Sequence, residues 1–411
     1  MSKSFLKAIQ TIFLFSLAFT LTSCWNFDNP LEDLEGSGSG GGGGTTTVKV
    51  TSITLDKTSL PMHVGDADVT LTATVAPDDA TDKTVTWSSD KEAVATVDAT
   101  GKVHAVAIGI ATITATANDG SGIKATCDVS VLPPGALAGV FSVSATKKVW
   151  FSQGNLQATY DGTKWTWAFA EHQWDFIGKA AGNTKVTDSS PFISENATVD
   201  LFGWVGASST WTGAAQYGIT SSTAINATDG YGNVETENLK ADWGTNMGAG
   251  WRTLTGGDDD EWEYLFNTRA TATTNMPAGA NSSEARYTKA TVAGVSGVIL
   301  FPDDYAHPDG VTVTVSEAAY NTGGKDYNTF TVDATNWSTM EAAGCVFLPA
   351  AGYRKGTTVY SSYLNYYWSS LPDDSDADNA YNVRFTSGSL TLADIDNRYL
   401  GCSVRLVRDV E

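Results

Sequence analysis

Four histidines, His63, His104, His172 and His307, are the first residues to test for chemistry, because imidazole is both a general base and a common metal ligand. No two of them share metal-ligand spacing. His63 and His104 sit within 48–133, the stretch read below as a sandwich, and are expected to be exposed on strands or turns, and His307, beside Pro308, reads as a loop residue. No Gly-x-Ser-x-Gly elbow with a nearby partner offers a Ser/His/Asp triad. The glycine run at 36–44 lacks the Lys-Ser/Thr of a phosphate loop and precedes no helix. Asp374-Ser-Asp376-Ala-Asp378 has the alternate spacing of a calcium loop, but Asn379 and Phe385 stand where an EF-hand needs Gly and Glu. The run Asp258-Asp259-Asp260-Glu261 reads as carboxylate charge on a helix N-terminus. No His lies near Cys345 or Cys402 in sequence to activate a thiol, so a thiolate nucleophile is not expected. These residues imply no enzyme and no cofactor. A surface carbohydrase using an Asp/Glu pair is the competing reading.

The elements that hold these residues begin with a leader. Lys3 and Lys7 precede an apolar run from Ala8 to Leu21, too short to span a bilayer and built like a secretory signal. It ends in Leu21-Thr22-Ser23-Cys24, which resembles the lipobox of bacterial lipoproteins. The resemblance implies cleavage after residue 23, a lipid on Cys24 and a tether over 24–47, and several acyl chains on one residue hold firmly. Asp28, Glu32, Asp33 and Glu35 follow, a loose match to a surface-export signal, and Gly36–Gly44 is a flexible spacer. The expected location is the outer membrane, exposed to the outside. A net charge of −21 argues against nucleic acid as a partner. With Cys24 lipidated, Cys127, Cys345 and Cys402 remain, and buried thiols are favoured over a Cys345–Cys402 bond.

Residues 48–133 alternate apolar and polar in short runs: Val48–Leu55, Val69–Val75, Thr84–Trp87, Ala95–Val97, Ala111–Thr116 and Thr126–Val131. Turn residues separate them, the pattern of a β-sandwich. Thr84-Val-Thr-Trp87-Ser-Ser, Ala95-Thr-Val97, Gly101-Lys-Val103-His-Ala105 and Gly109-Ile-Ala111-Thr-Ile-Thr114-Ala resemble the bacterial immunoglobulin-like domain, group 2. The resemblance implies a spacer or adhesion module, with Trp87 filling the core between the sheets. Pro133-Pro134-Gly135 marks a boundary.

Residues 136–411 are rich in Trp, Tyr, Gly and Asn. Strands are expected at 139–143, 148–152, 156–160, 165–168, 345–348, 366–369, 380–385 and 403–407. Helices are expected over Asp258–Asn267 and from about Ser338, which together suggest an α+β domain. Phe151-Ser-Gln-Gly-Asn155-Leu, Phe169-Ala-Glu-His-Gln173, Gly250-Trp-Arg252-Thr-Leu254, Val346-Phe-Leu-Pro349-Ala-Ala-Gly-Tyr353-Arg354, Tyr367-Trp368-Ser-Ser370 and Gly401-Cys-Ser-Val404-Arg405 occur in that order. Together they resemble secreted bacterial proteins with a C-type-lectin-like fold, shared with the formylglycine-generating-enzyme family. That enzyme activity is not carried over, since its closely placed cysteines are missing. Such folds sometimes hold calcium, so a loose oxygen-rich calcium site stays open. The expected architecture is therefore multi-domain: an all-β immunoglobulin-like sandwich over 48–133, then an α+β C-type-lectin-like binding domain over 136–411.

Between framework words in the last 50 residues stand Leu371, Asp373, Asp374, Asp376, Asp378, Arg384, Thr386, Ser389, Thr391, Asp394, Ile395, Asp396, Tyr399 and Leu400. With Tyr363 they are the candidate ligand contacts, and Tyr366, Tyr381 and Asn397 are further candidates. The arrangement resembles the variable region of proteins diversified by retroelements, in which a rigid sheet displays changeable loop residues. The reading is a cell-surface lipoprotein, an adhesin or receptor for a glycan or protein ligand. A structural fimbrial or stalk subunit is the other alternative.

Overall fold

The computed structural model describes residues 46–186, 197–205, 217–224, 241–271, 285–316, 326–361 and 364–410, except 249 and 259. Cys24, Tyr363 and Asp259 lie outside the described residues. Among the described residues, no helix is long and apolar enough to cross a membrane.

The protein is multi-domain and mostly β-sheet, and the first domain is a sandwich. One sheet runs in the order Ser59–His63, Lys124–Leu132, Gly109–Ala117, Val85–Ser89. Opposite lie Val69–Thr70, Lys102–Ala105 and Ala95–Val97, with Ser52–Leu55 paired to Ala73–Ala76. The two-residue period is visible in burial: Ala111, Ile113 and Ala115 point inward, while Thr112, Thr114 and Thr116 stay partly exposed. Cys127, Val129 and Val131 meet them from the neighbouring strand. Two short strands, Ser59–His63 and Lys102–Ala105, are additional to the six alternating runs of the sequence. Trp87 packs against the sandwich core but is not sealed inside it as expected. It is half-buried and covers the Gly101 turn, where φ is +82° and a Cβ would sit 2.9 Å from the indole ring. That turn needs both glycine's conformation and its missing side chain.

The last sandwich strand ends at Leu132 and the next strand, Ala136–Ser142, begins after Pro133-Pro134-Gly135. It opens a four-stranded sheet in the order Ala136–Ser142, Lys148–Ser152, Leu406–Asp409, Trp251–Thr253. The second strand of this part of the chain is therefore hydrogen-bonded to its last. A five-stranded sheet is built around the hairpin Tyr287–Val292 and Val295–Leu300, with Val346–Pro349 at one edge. A three-stranded antiparallel sheet, Asn365–Pro372, Asn379–Phe385 and Leu390–Asn397, lies near the C-terminus.

Both expected helices change. Over 258–267 there is only an α-turn, Glu261–Glu263, continued by a wide π-turn, Tyr264–Thr268. Trp262, Leu265 and Phe266 are buried as their spacing requires. Glu261 is not a charge left on a helix end. It turns inward, accepts from Arg252 Nη1 at 2.6 Å and Nη2 at 2.8 Å, and takes the Thr255 N–H at 3.0 Å. Asp260, at the N-cap position, makes no side-chain cap. The second helix starts earlier than Ser338, at Ala334, because Asp333 accepts the Asn336 N–H at 2.8 Å and caps it. The strand expected at 403–407 begins at Leu406, and Ser403 makes only a single bridge to Tyr367. Leu390–Asn397, read as loop, is an eight-residue strand.

A buried polar network joins these sheets. Arg405 is fully buried, and burial pulls its guanidinium down to about 10. It donates from Nη2 to Gln173 Oε1 at 2.7 Å and from Nη1 to the Phe347 carbonyl at 3.3 Å. Gln173 Nε2 donates to Glu341 at 2.8 Å and to the Cys345 carbonyl at 3.0 Å. Asn155 Nδ2 donates to the Tyr367 hydroxyl at 3.0 Å, and that hydroxyl donates to the Pro349 carbonyl at 3.0 Å. Arg405→Ala would remove the donor to Gln173 Oε1 and leave the buried Phe347 carbonyl without its guanidinium partner. It is expected to cost more than about 3 kcal/mol in urea denaturation, and Arg405→Lys to rescue little, because an ammonium cannot reproduce the fork.

Candidate binding face

The candidate residues that the fold gathers stand on the C-terminal three-stranded sheet. Cross-strand partners share a face. Tyr366 is opposite Arg384, and Arg384 is opposite Thr391. Trp368 is opposite Asn382, Asn382 opposite Asp394, and Ala380 opposite Asp396. One face therefore grades from core to water. Tyr366, Trp368 and Ala380 belong to a buried cluster, and Arg384, Asp394 and Asp396 on the central and edge strands are half-exposed. Two indoles of that buried cluster lock the sheet: Trp368 Nε1 donates to the Phe202 carbonyl at 2.6 Å, and Trp204 Nε1 to the Ser369 carbonyl at 2.9 Å.

The electrostatics of this face are unbalanced. Arg384 Nε lies 2.8 Å from Asp394 Oδ2. Asp394 and Asp396, two residues apart on one strand face, hydrogen-bond each other. Burial raises the Asp394 carboxyl. Burial, then the charge of Asp394, pushes Asp396 up to about 6, against the pull of Arg384, Asn382 and Tyr366. This is the behaviour of two carboxylates sharing one proton. Asn382 is fully buried beside them, and neither its amide oxygen nor its amide nitrogen has a hydrogen bond of sound geometry. The flanking hairpin, Tyr353–Lys355 with Thr358–Tyr360, adds stacked rings: Tyr353 and Tyr360 centroids are 4.9 Å apart at 13°. Tyr360 is 45% exposed, a large side chain left to water beside a charged cluster.

The other candidates divide. Ile395, 40% exposed, pairs with half-buried Tyr381 on the opposite face, and Asp258, Asp260, Asp373 and Asp374 help raise the Tyr381 hydroxyl after burial does. Thr386 and Ser389 close the hairpin, their hydroxyls 2.9 Å apart. Thr386, Ser387 and Gly388 line one side of an open groove of about 700 Å³, with Tyr327, Asn365 and Val295. Asp374 and Asp378 are exposed and Leu371 is half-buried. Asp376 accepts from the Asp378 N–H and from Asn379 Nδ2, both at 3.0 Å. Asp373 is buried and accepts from the Ser375 N–H and hydroxyl, both at 3.0 Å. Two carboxylates of the acidic loop thus tie their own turns. Among the described residues, no group of three or more His, Cys, Asp or Glu is placed to hold a metal ion. Tyr399 is half-buried, with Lys355 Nζ 5.5 Å from its ring centre. Asn397 donates to Asn379 at 2.7 Å.

Three candidates are corrected as surface contacts. Leu400 and Tyr366 are in the core, and Asp373 is buried by its turn. Cys127, Cys345 and Cys402 are free and buried, and burial pushes all three thiols up. Sequence reading missed Asn382, because Ala380-Tyr381 reads as framework. Its signal is parity: it lies two residues from Arg384 and so shares its face. The Tyr353–Tyr360 stack had no local signal.

With this geometry in view, comparisons with known proteins locate the first domain. A bacterial Ig-like domain (group 2) is found over residues 38–129. An uncharacterised protein of Clostridium acetobutylicum is 46% identical over 84 residues, which is 20% of this chain and 9% of that protein. An α-L-arabinofuranosidase of Bifidobacterium longum subsp. longum is 58% identical over 66 residues, 16% of this chain and 6% of the enzyme. The Ig-like virion protein of Serratia phage KSP90 is 45% identical over 85 residues, 20% of this chain and 32% of that protein. The glycosidase matches fall only in the Ig-like region. The chain thus spans less than a third of the length of these curated relatives, from 6% to 32%. Among solved structures, surface layer protein SbsC, domains 1–6, aligns with a TM-score of 0.19 at 22% identity, covering 28% of this chain and 19% of that one. That score carries no argument.

The raised carboxyl gives a pH test. Asp396 favours its protonated form in the fold, so its stabilising contribution is complete below its ordinary value of 3.8 and is lost as pH rises through about 6. Asp396→Asn keeps the shape without the charge. It should flatten the stability profile between about pH 4 and 6 and raise the melting temperature at pH 7, measured by thermal denaturation across that range.

Proposed function

We propose that this chain is a lipid-anchored surface protein that holds a C-type-lectin-like recognition domain away from the outer membrane on an Ig-like spacer. The ligand is a protein or a glycan, bound by the C-terminal sheet. The observation that carries this reading is the half-exposed Arg384–Asp394–Asp396 cluster with the exposed Tyr360 ring, held on a sheet whose inner part is locked by buried indoles. Rigid support with changeable outer residues is what a recognition surface requires. Ile395, Asp374, Asp378 and Ser389 also reach solvent, so their identity should matter little to folding. That tolerance supports diversification by a retroelement.

A carbohydrase is the second reading, favoured by two raised carboxyls side by side. Their mutual hydrogen bond counts against it, because carboxylates that act on a glycosidic bond flank it at roughly 5 Å or more.

Sequencing the 3′ end of the gene from many cells of one population tests the proposal. Substitutions are expected at codons 371–400, in the positions named above, with codons 366–368 and 405 constant. An invariant segment would defeat the diversified form and leave a fixed adhesin. Anchoring is tested separately: Cys24→Ser should abolish fatty-acid labelling and release the protein from membranes, and retained labelling would overturn the anchor.

A further inference from the structure

Above about pH 6, where Asp396 has lost its proton, two carboxylates against one guanidinium leave the cluster with one uncompensated negative charge. Asp394 is already engaged by Arg384 at 2.8 Å, so the unmet demand sits on Asp396. Beside it, buried Asn382 has an amide oxygen without a hydrogen-bond partner, while its amide nitrogen acts on Asp396 without a bond of sound geometry. A buried amide in that state costs about 1–3 kcal/mol and is the kind of group a ligand completes. The groups facing Asp396 come from every neighbouring element: Arg384 and Asn382 from the central strand, Tyr366 from the first strand, Tyr353 from the flanking hairpin, and Cys402 from the segment behind. Of the nearby cations, Arg384 acts on Asp396, whereas Arg354 stands by Cys402 and Lys355 by Tyr353.

We infer that this cluster is a pocket for a single basic side chain, lysine or arginine, presented by a protein partner, with Asp396 and the Asn382 carbonyl accepting its N–H groups. The inference rests on the reading of this sheet as the binding face. One positive charge balances the cluster, whereas a divalent ion would face Arg384 at close range. A sugar hydroxyl would satisfy Asn382 but leave the charge uncompensated. The chain's net charge of −21 further draws basic partners and speeds their encounter. A bound cation takes the place of the proton that the two carboxyls share, so binding and protonation compete.

The test uses the full chain, labelled for NMR, with a blocked Gly-Arg-Gly peptide as probe. Its uncharged citrulline counterpart and a set of methyl glycosides serve as controls. The basic peptide is expected to shift the Asn382 side-chain amide signals, and the citrulline peptide to leave them unmoved. With Asp396 titrating at about 6, affinity at pH 5 should be about tenfold below that at pH 7.5. Asp396→Asn should abolish the shift, and Arg384→Gln, which removes the competing guanidinium, should tighten binding. Equal binding of the citrulline peptide, a flat pH profile, no shift at Asn382, or shifts produced by glycosides instead would overturn the inference. A natural partner whose capture needs Tyr360 and Ile395 but tolerates Asp396→Asn would overturn the pocket while leaving the binding face standing.

Discussion

The burial of Arg405 is the constraint on which the C-terminal domain turns. A guanidinium with no water must find its acceptors inside the protein. It finds them in Gln173 Oε1 and the Phe347 carbonyl. Gln173 accepts from Phe347 N–H as well, at 2.7 Å. Those bonds fix the relative positions of an early loop, one edge of the five-stranded sheet and the C-terminal segment. Tyr367 continues the network into the three-stranded sheet through Asn155 and Pro349. The outer residues of that sheet can then vary in identity without losing their placement.

The same sheet shows how a fold confines strain in charge to one edge. Tyr366 and Trp368 on the inner strand are buried, and the polar groups lie on the central and outer strands. There burial is enough to raise Asp394 and Asp396 but not enough to exclude water. A fully buried pair would demand complete compensation, and a fully exposed pair would behave as ordinary carboxylates. Half-burial holds a carboxyl at the point where a partner's charge matters most. The other carboxylates near it, Asp373 and Asp376, are occupied by their own turns and add no such demand.

Legibility followed the range of the interactions. The sandwich was readable because alternation along a strand is a two-residue pattern, and Ala111, Ile113 and Ala115 carry it without interruption. The short strands that pair through non-local contacts, such as Ser59–His63 and Lys102–Ala105, left too little pattern to see. Leu390–Asn397 read as loop because one face of that strand carries Asp394 and Asp396 where a half-buried strand shows apolar residues. The run 258–261 read as helix charge because four consecutive acids mask the one, Glu261, that an arginine nine residues back draws inward.

By itself the sequence determined the sandwich and the words Asn155, Gln173, Tyr367 and Arg405, because each is written in local pattern or in a recurring phrase. It could not say that those four words touch, since they lie up to 250 residues apart. Only the tertiary structure decided that, and only it put Asn382 beside Asp394 and Asp396, withdrew Leu400, Tyr366 and Asp373 from the surface, and stacked Tyr353 on Tyr360. The reason is physical: burial, and with it the cost of a charge or an unmet hydrogen bond, depends on neighbours that arrive from distant parts of the chain.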